Sequence, residues 1–171
     1  MLLSNLCTYN SQTRQKPNSE FLVAIRFIME NSVKSDMVGK WRLERRDNNF
    51  DQFLSCRNVG WFLRTLMTTT SADVEYKLSP GTFTKVTSAS MGRTTTYNMP
   101  IEGDFCPAKT LSGKPENGRI FETSGGHLIQ EMSFVDTGDM AAVIKHKVED
   151  GKLIVDMQCK DIICRSVYTR L

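Results

Sequence analysis

Asn49-Phe50-Asp51-Gln52-Phe53-Leu54-Ser55-Cys56-Arg57-Asn58-Val59-Gly60 is the stretch on which the fold of this chain turns. Phe50, Phe53 and Leu54 stand at i, i+3 and i+4, the spacing of one helix face. Asn48 or Asn49 can cap such a helix, and Asp51 falls in its first turn, where the dipole favours a negative charge. Gly60 ends the stripe, and Trp61-Phe62-Leu63-Arg64-Thr65-Leu66-Met67 follows as a second apolar, helix-compatible run. Two short helices are therefore expected in tandem.

On either side of them the texture is β. From Val38 onward, turn signals recur at regular spacing: Ser79-Pro80-Gly81, Glu116-Asn117-Gly118, Ser124-Gly125-Gly126, Asp136-Thr137-Gly138 and Glu149-Asp150-Gly151. Pro presets φ for a turn, and Gly or Asn-Gly accepts the positive φ of tight hairpins. Between these signals the side chains alternate. Leu153, Val155, Met157 and Cys159 share one face, with Ile154, Asp156, Gln158 and Lys160 on the other; Ile144, His146 and Val148 likewise oppose Lys145, Lys147 and Glu149. One strand, two short helices and then strands to the end read as an antiparallel barrel or sandwich.

Composition changes near Met37. Residues 1 to 20 are rich in Ser, Asn, Thr and Gln and are expected to be mobile. Residues 20 to 30 can form a short helix with Arg26 and Glu30 on one narrow strip, either a membrane-touching or barrel-docking segment or an extension with one sticky patch. Residues 1–36 are thus expected to be an extension that supplies no strand, and 37–171 the folded domain. The polar start and the Glu30-Asn31-Ser32 that follows the apolar run do not match a secretory signal. No segment approaches the ~20 apolar residues of a membrane span.

The 171 residues suit one domain with a tail, and a net charge of +3 from 22 basic and 19 acidic residues leaves no basic stripe for nucleic acid. Such a balance still allows brief contact with anionic membranes. Five cysteines make an odd set with no C-x-x-C, so reduced thiols are expected. With only two histidines besides, no metal site is expected. No G-x-S-x-G, P-loop or H-E-x-x-H occurs, so neither a catalytic residue nor a cofactor is assigned.

Gly39-Lys40-Trp41-Arg42-Leu43 followed by Asn49-Phe50-Asp51-Gln52-Phe53-Leu54 resembles the N-terminal signature of the intracellular lipid-binding proteins, which include fatty-acid and retinoid carriers. Asp150-Gly151-Lys152-Leu153 and Cys164-Arg165-Ser166-Val167-Tyr168 resemble that family's last two strands, so the likeness covers residues 37–171. The signature is one residue longer here, which places a bulge or longer turn within Glu44 to Asn48. The resemblance implies an all-β fold: a ten-stranded antiparallel up-and-down barrel, the clam, with a helix-turn-helix lid after the first strand. It also implies a monomeric carrier of a long-chain fatty acid or similar amphiphile, cytoplasmic and with access to the nucleus, delivering to membranes or a nuclear receptor. Each buried CH₂ is worth ~0.8 kcal/mol, so few polar contacts are needed.

The departures are in those polar contacts. In the family an inward Arg on the eighth strand and an Arg-x-Tyr pair on the last commonly hold a carboxylate. Counted from Gly151, the first place falls on His146; counted back from Tyr168, the second falls on Ser166, and alternation turns Arg165 outward. The inner polar set is then His146, Ser166 and Tyr168, without a guanidinium, and protonation of His146 would have to supply any charge. His146 reads either as a core histidine or as a ligand contact. Phe50, Phe53 and Leu54 serve both packing and ligand, and Val155 and Met157 extend the apolar lining. Arg93 matches a basic portal position, Trp41 plugs the closed barrel end, and Cys159 and Cys164 are inward apolar fillers. Gly39-x-Trp41 also resembles the start of the lipocalins, extracellular carriers, but those place their helix late and usually carry a disulfide.

Overall fold

Alternation of apolar and polar side chains drives most of the chain into strands that close around one apolar interior. The computed structural model describes residues 35–89, 92, 94–108 and 115–171. The helix expected at 20–30 and Arg93 lie outside the described residues. Ten strands are described: β1 (Gly39–Arg46), β2 (Ala72–Ser79), β3 (Thr82–Ala89), β4 (Thr94–Pro100), β5 (Cys106–Ala108), β6 (Glu116–Glu122), β7 (Leu128–Phe134), β8 (Met140–Glu149), β9 (Lys152–Cys159) and β10 (Ile162–Arg170). They form one antiparallel sheet in the order β4-β3-β2-β1-β10-β9-β8-β7-β6-β5, so β1 pairs with both its successor and the last strand. Two helices, α1 (Phe50–Cys56) and α2 (Trp61–Thr69), stand between β1 and β2. This is the expected nearly closed ten-stranded barrel with its helical pair.

The extra residue in the N-terminal signature is a bulge. Against β10, Leu43 faces Tyr168 and Arg45 faces Val167, which leaves Glu44 without a counterpart. Trp41 is fully buried; its indole N–H donates to the Met37 carbonyl at 2.9 Å, and the Arg170 guanidinium lies 4.6 Å from its ring centre.

The α1 stripe is as the spacing predicts: Phe50, Phe53 and Leu54 are buried beneath the lid. Asn49 stands at the N-cap, yet its side chain does not cap. It donates to the Ile163 carbonyl of β10 and fastens the helix to the barrel wall. Asp51 binds Arg64 of α2 at 3.0 Å, which joins the two helices.

Two expectations fail. Glu116-Asn117-Gly118 is strand β6 rather than a turn. A Cβ on Gly118 would stand 2.9 Å from the Met132 sulfur, so the glycine answers to close packing, not to hairpin geometry. Nor are all the thiols reduced: Cys56, the last residue of α1, forms a disulfide with Cys159, the last residue of β9. Their sequence separation of 103 hid the proximity that the lid creates. Cys159 is therefore a cross-link and not an apolar filler, whereas Cys164 is a free, buried thiol pushed up to about 11 by burial.

Candidate functional site

Closing a sheet of this size leaves an interior wider than its own side chains fill. Between the two helices and the inner face of the sheet lies a cavity of about 210 Å³. Phe50, Phe53 and Leu54 of α1 and Leu63, Leu66 and Met67 of α2 roof it, and Val74, Met132, Ile144 and Met157 line its floor. Of the residues singled out from sequence, Phe50, Phe53, Leu54, Met157, Ser166 and Tyr168 are brought together on this wall.

His146 and Val155 point inward as the alternation predicts but are not part of the wall. Val155 is core. The His146 ring is fully buried, 2.7 Å through Nδ1 from the Tyr76 hydroxyl, and its Nε2 makes no hydrogen bond to protein. Burial, and then the charge of Lys85, hold its pKa well below the ordinary histidine value. Its neutral form is thus the favoured one in the free protein. Burial likewise raises the Tyr76 phenol well above its usual range.

Charge reaches the cavity from elsewhere. Arg165 points outward and is bound to Asp156 at 2.6 Å, as expected. The wall nevertheless includes Arg46, Arg57 and Lys85, three cations that the sequence pattern had not marked. Arg46, at the end of β1, donates to the Met67 carbonyl at 2.7 Å, with its guanidinium carbon 3.9 Å from the Phe50 ring centre. Arg57, the residue after α1, meets the buried carboxylate of Glu116 at 2.5 Å. Lys85 sits mid-strand in β3, in register with Tyr76 on one side and Tyr97 on the other. Burial, with help from the Arg57 charge, lowers its pKa to about 8. Burial raises the Tyr168 phenol, and the neighbouring Arg46 charge opposes the shift.

Several polar atoms on this wall make no hydrogen bond to protein: Nε of Arg46 and Arg57, Oε1 of Gln130 and Oγ of Ser166. Such groups are costly when buried without a partner. A signal for Lys85 was present in Phe83-x-Lys85-x-Thr87, whose alternation puts the lysine on the apolar face. For Arg46 and Arg57 there was none, because the bulge and the end of α1 set their direction.

No family model matches the chain. Among curated proteins it is similar to the sodium/calcium exchanger regulatory protein 1 of Doryteuthis pealeii, with 25% identity over 81% of this chain and 99% of that one. It is also similar to cellular retinoic acid-binding protein 2 of Mus musculus, with 28% identity over 77% of this chain and 96% of the relative. Among solved structures, the fatty acid-binding protein from brain tissue of Drosophila melanogaster superposes with a TM-score of 0.68 at 26% identity, covering 78% of this chain and 98% of that one. The relatives are matched almost end to end, helical pair included, which disfavours the lipocalin alternative. The curated relatives and structural neighbours to which this chain is similar are intracellular fatty-acid- and retinoid-binding proteins.

Proposed function

We propose that this chain is a non-covalent carrier that takes one long-chain fatty acid, or a similar hydrophobic acid, into its barrel. The observation that carries this is the apolar cavity roofed by α1 and α2, with a small set of unpaired polar atoms on its wall. An interior of that kind gains affinity from chain burial, ~0.8 kcal/mol per CH₂, and orientation from a few polar groups. Phe50, Phe53, Leu54 and Met157 would grip the chain, with Ser166 and Tyr168 among the polar contacts. The names of the relatives, for retinoic acid and for fatty acid, support the same ligand class.

Delivery would follow from the lid. Trp61 and Phe62, at the start of α2, are 72% and 70% exposed, a wedge suited to transient contact with a membrane surface. The carrier would work as a monomer in the cytoplasm. Displacement of a neutral fluorescent probe by fatty acids of increasing length, with native mass spectrometry of the complex, tests the proposal. One bound lipid per chain, held more tightly as the chain lengthens, is the expected result. No binding at any length would end it.

A further inference from the structure

Three cations on a mostly apolar wall need an explanation. A desolvated charge is unfavourable unless an opposite charge or full hydrogen bonding compensates it. Arg57 has Glu116. Among the described residues neither Arg46 nor Lys85 is paired with a carboxylate, while Arg42, Arg64, Lys77, Arg119, Lys147, Lys152 and Arg165 all are. Two cations without an ion pair therefore stand on the cavity wall, close to the lid.

We infer that Arg46, Arg57 and Lys85 form the head-group site of this cavity, holding a lipid carboxylate directly beneath the two-helix lid. The inference rests on the carrier proposal and adds to it where the head group sits and which side chains select it. The geometry is consistent. Arg46 is anchored through its contact with Met67 of α2, and Arg57 through Glu116 of β6, so both guanidinium groups are held in place before any ligand arrives. Each keeps an Nε with no protein partner. Lys85 is fixed between two tyrosines on the β2–β3–β4 ladder, with its ammonium 5.9 Å from the Tyr76 ring centre. The acyl chain would then run against Met132, Ile144 and Met157.

This site differs from an arginine on the eighth strand and an Arg-x-Tyr on the last. Those two places are occupied by His146, which is neutral, and by Ser166, with Arg165 turned outward. The head group moves from the far strands to the lid, so lid opening and head-group release become one event.

Protonation gives a second handle. Lys85 is faced by Arg57 from the end of α1, Tyr76 from β2, Tyr97 from β4 and His146 from β8, with Glu116 of β6 beyond Arg57. The carboxylate in this group, Glu116, is bound to Arg57. A bound anion favours the ammonium form, so oleate affinity should fall as pH rises through 8 and beyond, whereas oleyl alcohol should show no such dependence.

The experiment compares oleate with oleyl alcohol in displacing a neutral probe, Nile red, from the full chain at pH 7 and pH 9. Lys85→Met and Arg46→Gln should each weaken oleate about tenfold or more, the usual range for losing a charge-assisted contact. Both should leave oleyl alcohol within about twofold, since apolar burial is untouched. Arg165→Gln, on the outer face, should change neither. If a variant fails to fold, wild-type protein decides: its affinity for oleate should fall between pH 7 and pH 9 while its affinity for oleyl alcohol holds. An unchanged acid-to-alcohol ratio in both variants, or a pH-independent oleate affinity in wild type, overturns the site while leaving the carrier standing. Failure of wild type to bind either lipid would remove the carrier proposal itself.

Discussion

Breaking the Cys56–Cys159 bond is the most direct perturbation of the lid. The bridge spans a sequence separation of 103. In the chain-entropy treatment a loop of that length raises the free energy of the denatured state by about 4.7 kcal/mol, a ceiling that real bridges often fall short of. Taken over the chain from residue 35 to 171, an unfolding entropy of about 2.1 cal/mol/K per residue makes this ceiling equivalent to about 16 °C in Tm. Reduction should not dismantle the lid, because Phe50, Phe53 and Leu54 remain buried under α1. The expected outcome is a cooperative transition shifted downward by several degrees. Calorimetry on wild type and Cys56→Ser, each with and without dithiothreitol, provides the check. Reductant should bring wild type down to the level of the variant and leave the variant unmoved. A Cys56→Ser chain melting within about 3 °C of oxidised wild type, or an equal response of both to reductant, would refute the reasoning. In a reducing compartment the same shift sets the working stability of the carrier.

His146 is held neutral by burial and by Lys85, so its folded pKa lies below the unfolded value. Below about pH 6.5 the unfolded chain takes up a proton that the folded one does not, so stability should fall by up to ~1.4 kcal/mol per pH unit as acid is added. Urea titrations of wild type and His146→Gln between pH 7 and pH 5 check this, and parallel profiles would contradict it. Gly118→Ala would bring a methyl to 2.9 Å from the Met132 sulfur and 3.4 Å from that of Met99, at an expected cost of about 1–3 kcal/mol. Shortening the neighbour in Gly118→Ala/Met132→Val should restore part of the loss; a chemical-denaturation series showing strict additivity would argue against that contact.

What the sequence revealed follows from how local each signal is. Phe50, Phe53 and Leu54 announced α1, and the extra residue before them announced the bulge at Glu44, because both are patterns within a few residues of chain. Asp150 and Gly151 take the two positive φ angles of their hairpin, 51° and 71°, as Asp-Gly favours. The hairpin at Lys160-Asp161 carries no Gly or Pro, and Lys160 itself adopts its φ of 54°. Gly118 misled for the opposite reason: Asn-Gly is a strong hairpin signal, and only the distant Met132 explains the glycine. The cavity was legible as an apolar face and illegible as a charge distribution. Arg46 follows a bulge and Arg57 follows a helix, where neither period two nor period 3.6 fixes a direction, and the Cys56–Cys159 bridge required knowing how the lid lies on β9.

The sheet ends at β4 on one side and β5 on the other, so its two margins face each other without a continuous ladder. Among the described residues, backbone contact across them falls just after β4, where Ile101 bridges Ile120 of β6 and the Glu102 N–H donates to the Ile120 carbonyl at 3.0 Å. Nearby, the sulfurs of Met99 and Met132 occupy the space that a Cβ on Gly118 would need. A cylinder stitched at one point and upholstered with thioethers behaves like a spring clip. Widening it along β4 sacrifices dispersion contacts between polarisable, unbranched side chains rather than hydrogen bonds, which is the softer of the two to deform. The girth of the interior is therefore a compliant dimension, and its length, fixed by the ladders of β1, β9 and β10, a stiff one.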